Sequence, residues 1–318
     1  MISTTPIIID CDPGVDDSYA IAMAHAHPGF DIVAITAVEG NVPARLTRHN
    51  ALCLADTLGI DCRVAFGAEK PLRKAYDRDA SSIHGASGVG DVVFDPPSIE
   101  PDPKPAWDVI YEEAVKAEGR LILLATGPLT NIALTLQHHP DLPKYINRFC
   151  IMGGGTFGNI TKFAEFNVFI DPTAAHEVFA QLPVEMIGLN ITHAAALTEA
   201  DFQEMLAIGG DSRPSKMLHE LATFSERQSH LPGSDNSVIH DAVAVASVIN
   251  PDLIEYDERY VYVEDGDNAE NSGQTVIEPE DDPREPKCKV GMKVDRDAFA
   301  ACSRASSIIM RSDCFSWA

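Results

Sequence analysis

Runs of apolar residues long enough for a β-strand alternate with amphipathic segments of helix length over most of the chain. The strands are predicted at residues 6–9, 32–38, 63–66, 121–125, 148–152 and 184–189. The helices are predicted at residues 16–27, 44–58, 107–117, 129–137 and 172–181. Alternation of this kind indicates right-handed crossovers and a parallel sheet. We therefore expect an α/β fold with ligand sites beyond the carboxyl ends of its strands.

The last third of the chain has a different pattern. Residues 198–250 are predicted to be helical, and residues 254–294 to form a β meander with a polar hairpin tip near 264–273 and an acidic turn at 278–286. A closing helix is predicted at residues 297–310. Because we find no linker and no internal repeat, we expect a single domain that spans residues 1–318.

The charge balance narrows the classes of partner. The chain has 24 Lys and Arg residues against 48 Asp and Glu residues, which gives a formal net charge of −24. Binding to nucleic acid or to an anionic membrane needs basic patches, and no basic run occurs, so we expect neither. Small neutral substrates or cations suit a field of this sign.

The cysteines and the apolar segments indicate the compartment. The seven cysteines, of which Cys314 is the last, form no CxxC motif and are odd in number, which favours reduced thiols over a disulfide framework. The first residues lack the pattern of a signal peptide, and no window of about 18 apolar residues is long enough to span a bilayer. We therefore expect a cytoplasmic protein.

Four aspartates follow the first predicted strand in the segment DCDPGVDD. Asp10 and Asp12 alternate onto one side of an extended chain, and Asp16 and Asp17 fall in the first turn of a helix, whose dipole favours negative charge. Carboxylates this crowded repel one another unless a cation neutralises them, and oxygen ligands select a hard ion such as Ca²⁺ or Mg²⁺. A capped helix with surplus acids is the alternative. An EF-hand is excluded because Ile21 occupies the position of its last ligand.

Other polar motifs follow predicted strands, open helices or lie in a glycine-rich loop. They include ATGPLTN at a strand end, MGGG followed by AEFN, and HDAVAVA at the start of an apolar helix. The side chains in and near them that offer ligand or hydrogen-bonding groups are His84, Thr126, Asn159, Glu165, Asn167, His240 and Asp241. Mixed amide and carboxylate groups suit sugar hydroxyls. Taken singly, each motif is equally consistent with an ordinary helix start or loop.

Taken together, DCDPGVDD, ATGPLTN, MGGG with AEFN, and HDAVAVA resemble the motifs of the nucleoside hydrolases, the inosine–uridine-preferring family. The resemblance extends over about residues 6–250, with the motifs in a consistent order and spacing. It implies an open, mainly parallel twisted sheet flanked by helices, with Ca²⁺ at the strand ends. It also implies hydrolysis of the N-glycosidic bond of ribonucleosides to ribose and a free nucleobase, and assembly as a homodimer or homotetramer.

The resemblance implies roles for individual residues. Asp12 matches the general base that activates water, and His240 matches a residue beside the nucleobase, which makes it our first candidate for the acid that protonates the departing base. The residues that match Ca²⁺ ligands are Asp12, Asp17, Thr126 through its carbonyl and Asp241, with Asp10 as a supporting acid. Those that match contacts to the sugar or lie near it are Asp16, Asn41, Met152, Asn159, Glu165 and Asn167. His84 matches a loop histidine near the base.

Two features depart from the family pattern. Glu39 stands before Gly40 and Asn41, where a small or apolar residue is more usual. The stretch FSERQSH before His240 contains no Tyr, although many members with inosine or pyrimidine activity have one there. The second departure leaves the nucleobase preference open.

Two other classes of protein are alternatives. A metal-dependent phosphohydrolase can also carry a DxD motif after an N-terminal strand, but it needs a Lys and a Ser or Thr for phosphate and gives Asn159, Glu165 and Asn167 no role. A non-catalytic protein that binds a nucleoside or Ca²⁺ is the second alternative. Release of free ribose, release of phosphate, and binding without turnover distinguish the three.

Overall fold

The computed structural model describes residues 4–73, 79–208, 210–228, 230–231, 233–266 and 270–311 of the 318-residue chain. The strands are β1 (Thr5–Cys11), β2 (Phe30–Ala37), β3 (Arg63–Phe66), β4 (Leu121–Ala125), β5 (Ile146–Met152), β6 (Val184–Ile187), β7 (Ile254–Arg259), β8 (Val261–Val263), β9 (Thr275–Ile277) and β10 (Cys288–Val294). Cys314 lies outside the described residues, so its reduced state stays a prediction.

The helices cover the segments in which apolar residues recur at helical spacing. They are α1 (Val15–Ala26), α2 (Ala44–Leu58), α3 (Ser81–His84), α4 (Ala106–Ala117), α5 (Thr130–His138), α6 (Phe166–Ile170), α7 (Pro172–Gln181), α8 (Leu189–Ala194), α9 (Glu199–Ile208), α10 (Arg213–Gln228), α11 (His240–Ile249) and α12 (Arg296–Arg311), with one 3₁₀ turn at Leu142–Lys144. The α/β alternation predicted from the sequence is confirmed.

Eight strands form one sheet in the order β3-β2-β1-β4-β5-β6-β10-β7. All neighbouring pairs are parallel except β10 and β7, which are antiparallel. The chain runs outward from β1 to β3 and then returns to place β4 on the other side of β1. Such a reversal of strand order opens a crevice beyond the carboxyl ends of the two central strands, and this crevice is the usual ligand site of the architecture.

Both faces of the sheet are covered by helices, which is why β1 is a continuous apolar run. Alternate side chains of β1 enter different cores, with Ile7 and Ile9 packing among α1, α2 and α11, and Ile8 packing among α4, α5 and α7. A strand buried on both faces lacks the polar alternation of a half-exposed strand.

The C-terminal strands are divided between two sheets, which a simple meander does not describe. β7 and β10 extend the main sheet, and β10 lies parallel to β6. β8 and β9 pair with each other as a separate antiparallel ribbon, and Val261 and Val263 of β8 are buried against the core on the α7 side. Residues 267–269, inside the predicted hairpin tip, lie outside the described residues. The predicted closing helix is α12.

None of the helices in the described ranges combines the length and the apolar character needed to cross a bilayer.

Candidate functional site

A cleft of about 630 Å³ opens beyond the carboxyl ends of β1, β4 and β5. The predicted site residues that line it are Asp16, Asn41, His84, Thr126, Met152, Asn159, Glu165, Asn167, His240 and Asp241. The remaining predicted residues are fully buried, Asp10 and Asp12 in or directly after β1 and Asp17 in the first turn of α1. Residues from the whole length of the chain therefore meet at one end of the sheet, because the carboxyl ends of parallel strands share an edge.

Asp12 directly follows β1, and its carboxylate is held on one side only. Oδ2 accepts a hydrogen bond from the backbone N–H of Asn41 at 2.6 Å, whereas Oδ1 is buried without a partner among the described residues. A Cβ at Gly40 would collide with Oδ2, and a Cβ at Gly127 would lie 2.7 Å from Oδ1. Both positions therefore have to be glycine for the Asp12 carboxylate to lie where it does.

Asp17 joins three segments of the site. Its Oδ1 accepts a hydrogen bond from the Thr126 hydroxyl at 2.7 Å, and its Oδ2 accepts one from the backbone N–H of Gly14 at 2.9 Å. Asp241, in the first turn of α11, lies close enough to Asp17 for the two carboxylates to repel each other. The carbonyl oxygen of Thr126 accepts from the Asn167 amide at 2.8 Å and keeps a second lone pair.

Asp10 is held by hydrogen bonds from the neighbouring strand β2 and from helix α5. Its Oδ1 accepts hydrogen bonds from the Thr36 hydroxyl of β2 at 2.5 Å and from the Asn131 amide of α5 at 2.8 Å. Its Oδ2 is buried and has no partner in the described part of the chain. Asp10 is thus well ordered but only half satisfied.

The five aspartates of this cluster are buried together without a compensating cation. Burial raises the pKa of Asp10 to about 7 and the pKa of Asp16 to about 7. Burial, together with the charge of neighbouring carboxylates, also raises the pKa of Asp12 and of Asp241, and burial raises the pKa of Asp17. Within the described ranges, no Lys or Arg side chain hydrogen-bonds to any of them. Uncompensated buried charge opposes folding, so such a cluster is a mark of function.

The donor chemistry of the cluster fits a hard divalent cation. The orphaned oxygens, Asp12 Oδ1 and Asp10 Oδ2, belong to carboxylates, and Thr126 adds a carbonyl. No three His, Cys, Asp or Glu side chains of the described residues already stand in the arrangement of a metal site. Asp17 instead accepts hydrogen bonds from the Thr126 hydroxyl and from the backbone N–H of Gly14. The residue types thus suit a cation, while the side-chain arrangement does not by itself identify one.

Asp16 and His240 connect the carboxylate cluster to the other side of the cleft. Asp16 Oδ2 accepts a hydrogen bond from the backbone N–H of His240 at 2.8 Å. The His240 ring is oriented by Thr192, whose hydroxyl lies 2.7 Å from Nδ1. Burial, with smaller contributions from His193 and His84, lowers the pKa of His240 to about 3. The ring is therefore neutral in the free protein, and Nε2 makes no hydrogen bond to the described residues.

Glu165 and Asn167 owe their positions to a short helix. Glu165 is the N-cap of α6, where its carboxylate accepts hydrogen bonds from the backbone N–H groups of Asn167 and Val168, and also from that of Gly154. The Asn167 amide donates to the carbonyls of Thr126 and Met152 and so ties β4 to β5. Its Oδ1 remains an acceptor. Asn159 is exposed at the rim of the cleft.

His84 ends α3 and lies against the start of α1. Its Nδ1 accepts a hydrogen bond from the backbone N–H of Val15 at 3.2 Å. A backbone N–H can only donate, so the neutral His84 ring carries its proton on Nε2. Burial lowers the pKa of His84 to about 4, which keeps the ring neutral.

Several positioning residues were not predicted from the sequence. Thr36 and Asn131 orient Asp10, Thr192 orients His240, and Gly40 and Gly127 make room for Asp12. Asn131 stands inside the ATGPLTN motif, and Thr36 is a polar residue within an apolar strand, so both left a signal. Thr192 left none, because its contact depends on the packing of α8 against α11.

The unusual Glu39 has a structural role. Its Oε2 accepts a hydrogen bond from the backbone N–H of Ala44 at 3.1 Å. α2 begins after Pro43, which has no side-chain acceptor, so Glu39 satisfies a free N–H at the start of the helix.

Comparison with known proteins gives consistent results. The family model described as inosine-uridine preferring nucleoside hydrolase matches residues 7–301. An inosine-uridine preferring nucleoside hydrolase from Leishmania major is 37% identical over 92% of this chain and 94% of its own length. A pyrimidine-specific ribonucleoside hydrolase from Escherichia coli is 36% identical over 92% of this chain and 95% of its own length. The solved structure of a purine-preferring ribonucleoside hydrolase from Gardnerella vaginalis superposes with a TM-score of 0.88, at 28% identity and over 96% and 100% of the two chains.

The matches extend over the sheet, the cleft and the C-terminal strands, well beyond the four motifs. The family resemblance and the open, mainly parallel fold predicted from the sequence are confirmed. The chain belongs to the family of inosine-uridine preferring nucleoside hydrolases and is an enzyme of the ribonucleoside hydrolase class.

Proposed function

We propose that the enzyme hydrolyses the N-glycosidic bond of ribonucleosides in a Ca²⁺-dependent reaction, with water activated by Asp12, and releases ribose and the free nucleobase. The observation that carries this proposal is a cluster of five buried aspartates beneath a polar cleft, to which no Lys or Arg of the described residues hydrogen-bonds and in which Asp12 Oδ1 finds no partner among those residues. A cluster of this kind suits both a hard cation and the positive charge that develops on a sugar ring during glycosidic cleavage.

In the proposed site, the residues that hold Ca²⁺ are Asp12, Asp17, Thr126 through its carbonyl and Asp241, with Asp10 as the supporting acid. A bound ion supplies Lewis acidity, which lowers the pKa of a water molecule and polarises hydroxyl groups. Carboxylate and carbonyl oxygens are the donors that Ca²⁺ prefers, and the half-satisfied carboxylates of Asp10 and Asp12 support this assignment.

Asp12 acts as the general base. Its Oδ1 is free to accept a proton, and the Asn41 N–H on Oδ2 keeps the carboxylate from rotating. Burial and the neighbouring Asp17 raise the pKa of Asp12, and a bound cation would favour the ionised carboxylate that a general base needs. The water then adds to the anomeric carbon without a covalent enzyme intermediate.

The ribose lies against the amide and carboxylate groups of the cleft. Asp16 reads a hydroxyl with the oxygen that does not accept from His240, and Asn167 reads one with its Oδ1. The other contacts to the sugar are Asn41, Met152, Asn159 and Glu165. Because Asp16 is hydrogen-bonded to the backbone of His240, the residue proposed to bind the sugar and the residue proposed to contact the base are fixed relative to each other.

The departing base is protonated by a histidine. His240 is the first candidate because it adjoins Asp241 and therefore lies beside the reacting carbon. His84 is the second candidate, since its Val15 contact leaves an N–H on Nε2 that can donate to the base. Because both rings are neutral in the free protein, a histidine helps the base to leave either by a hydrogen bond from its ring N–H or by first taking up a proton, which it then passes to the base.

The test is release of reducing ribose from a panel of inosine, uridine, cytidine, adenosine and guanosine, scored by kcat/KM. The named relatives differ in base preference, being inosine-uridine preferring, pyrimidine-specific and purine-preferring, so the panel also measures the preference. Release of phosphate from a nucleotide would favour a phosphohydrolase, although no Lys or Arg of the described residues lines the cleft. Binding of nucleosides without turnover would identify a non-catalytic protein.

We expect the enzyme to work in the cytoplasm, as the cysteine pattern indicates, and to assemble as a homodimer or homotetramer, as the family resemblance implies. Light scattering after size exclusion measures the assembly.

A further inference from the structure

One wall of the cleft carries a row of three rings formed by Phe157, His193 and His240, all of which line the cleft. The ring centroids of His193 and His240 are 5.8 Å apart at an interplanar angle of 49°. Those of Phe157 and His193 are 5.2 Å apart at 61°. The row begins at the aspartate cluster, because the His240 backbone bonds to Asp16, and it ends with Phe157 at the rim.

The side chain of Phe157 is partly exposed to solvent at the mouth of the cleft. It exposes 38% of its surface, and Ile83, another large apolar side chain lining the same cleft, exposes 49%. Apolar side chains at the mouth of a polar cleft favour a ligand that is polar at one end and flat and apolar at the other. A nucleoside has this character.

The loop that carries Phe157 is held in place by hydrogen bonds. The N–H of Gly158 donates to the carbonyl of Lys162 at 3.2 Å, and the N–H groups of Asn159 and Ile160 donate to the carbonyl of Ala164 at 3.2 and 3.1 Å. Ala164 in turn forms a β-bridge with Gln274. These hydrogen bonds fix the loop that carries the phenyl ring, so little conformational entropy is lost when a ligand stacks on the ring.

The length of the row of three rings distinguishes nucleobases by their size. With the sugar held by the aspartates, the base extends along the ring row. A pyrimidine has one ring and lies next to His240, whereas a purine extends one fused ring further from the glycosidic bond. The geometry points to Phe157 as a specificity-determining residue that stacks on the outer ring of a purine, with His193 lying between it and His240. This inference rests on the proposed hydrolysis of ribonucleosides.

The experiment compares kcat/KM for inosine and uridine in the wild type and three full-length variants. Phe157→Ala removes the ring, and Phe157→Tyr keeps it. Phe163→Ala is the matched control, because Phe163 belongs to the same loop, contacts Lys162 and does not line the cleft. We expect Phe157→Ala to lower kcat/KM for inosine by about tenfold, mainly through KM, which is the usual effect of losing one stacking contact to a base. Uridine kcat/KM should change less than about twofold, as expected for a base that does not reach the lost contact.

Phe157→Tyr should restore inosine activity, and Phe163→Ala should leave both substrates unaffected. Equal losses on inosine and uridine would show that Phe157 only supports the loop, and an unchanged inosine value would show that the ring makes no contact; either result overturns the inference. A wild type that cleaves uridine but not inosine also overturns it and leaves the proposed function intact. If the wild type cleaves no ribonucleoside, the proposed function itself fails.

Discussion

A cleft lies at each end of the sheet, and each cleft is associated with a buried acidic side chain. The acid is paired with basic side chains at one end and is left unpaired by the described residues at the other. The cleft at the carboxyl ends has a volume of about 630 Å³, and the one near the starts of β5, β6 and β10 has about 570 Å³. In the second cleft, Glu185 accepts hydrogen bonds from Arg148 at 2.6 Å and from Lys289 at 3.3 Å. In the first, no Lys or Arg of the described residues hydrogen-bonds to Asp12, and its Oδ1 has no partner among them.

The difference separates stability from function. A buried carboxylate that is paired and hydrogen-bonded is satisfied by the fold, and losing its partner weakens the protein. A buried carboxylate that the fold leaves unpaired is satisfied by something the fold does not contain, such as an ion, a water molecule or a substrate. The two clefts are similar in size, and the pairing of Glu185 with Arg148 and Lys289 is what distinguishes its carboxylate from that of Asp12.

The largest expected effect comes from removing the ion that the aspartate cluster is proposed to bind. Chelation should abolish hydrolysis and lower Tm, because a ligand that binds only the native state adds stability, by about 2.7 kcal/mol at a concentration of 100 times Kd. Thermal unfolding and ribose release, each with and without added Ca²⁺, measure both effects. Full activity in a preparation that elemental analysis finds free of metal would contradict the assignment.

The sugar side of the cleft should reject substrates that lack a hydroxyl. A site whose buried groups hydrogen-bond a hydroxyl discriminates against the analogue without it by up to ~10⁴-fold, since its partners are left unpaired. We therefore expect a loss of this order in kcat/KM for 2′-deoxyuridine relative to uridine. Equal values for the two nucleosides would remove Asp16, Glu165, Asn159 and Asn167 from the proposed sugar contacts.

Asp12→Asn tests the unpaired acid with little change of shape. We expect kcat to fall by roughly 10²–10⁴, the usual contribution of a general base, with a further loss if the ion binds less tightly. Tm measured without added metal should not fall, because the substitution removes a charge that repels its neighbours. A variant that binds Ca²⁺ and keeps more than about a tenth of the wild-type kcat would place the base elsewhere.

His240→Ala separates proton donation from positioning. If His240 is the acid, turnover of inosine should fall by about 10², while p-nitrophenyl riboside, whose leaving group needs no proton, should be nearly unaffected. Equal losses on both substrates would assign His240 to positioning, and His84→Ala would then be examined with the same two substrates.

Glu185→Gln is the counterpart of Asp12→Asn at the paired end. We expect kcat/KM to stay within about twofold of the wild type and the free energy of unfolding to fall by about 1–2 kcal/mol, which is less than for a fully buried pair because Arg148 keeps part of its side chain in solvent. Denaturant unfolding measures the change. A loss of activity without a loss of stability would join this cleft to the reaction and end the contrast between the two ends.

The local pattern of the chain was enough to predict much of the architecture. The apolar run of β1 and the amphipathic helices reflect neighbours in sequence, and the alternation of strands and helices indicates a parallel sheet. The closeness of the site segments also followed, because strand ends in a parallel sheet share one edge. The division of the C-terminal strands between two sheets did not follow, because short antiparallel strands have the same periodicity whichever partner they choose.

The sequence by itself was enough to propose which residues carry the chemistry, since DCDPGVDD concentrates four acids directly after one strand. Tertiary structure alone decided which of those acids remain unsatisfied. Asp10 meets Thr36 and Asn131, which are 26 and 121 positions away, and Asp12 finds a partner for only one of its oxygens. It also decided that Glu185, an ordinary acid in the sequence, is paired, and that Phe157, His193 and His240 form a row. Periodicity records the surroundings of a residue along the chain, whereas hydrogen-bond satisfaction depends on contacts between segments that only the folded arrangement brings together.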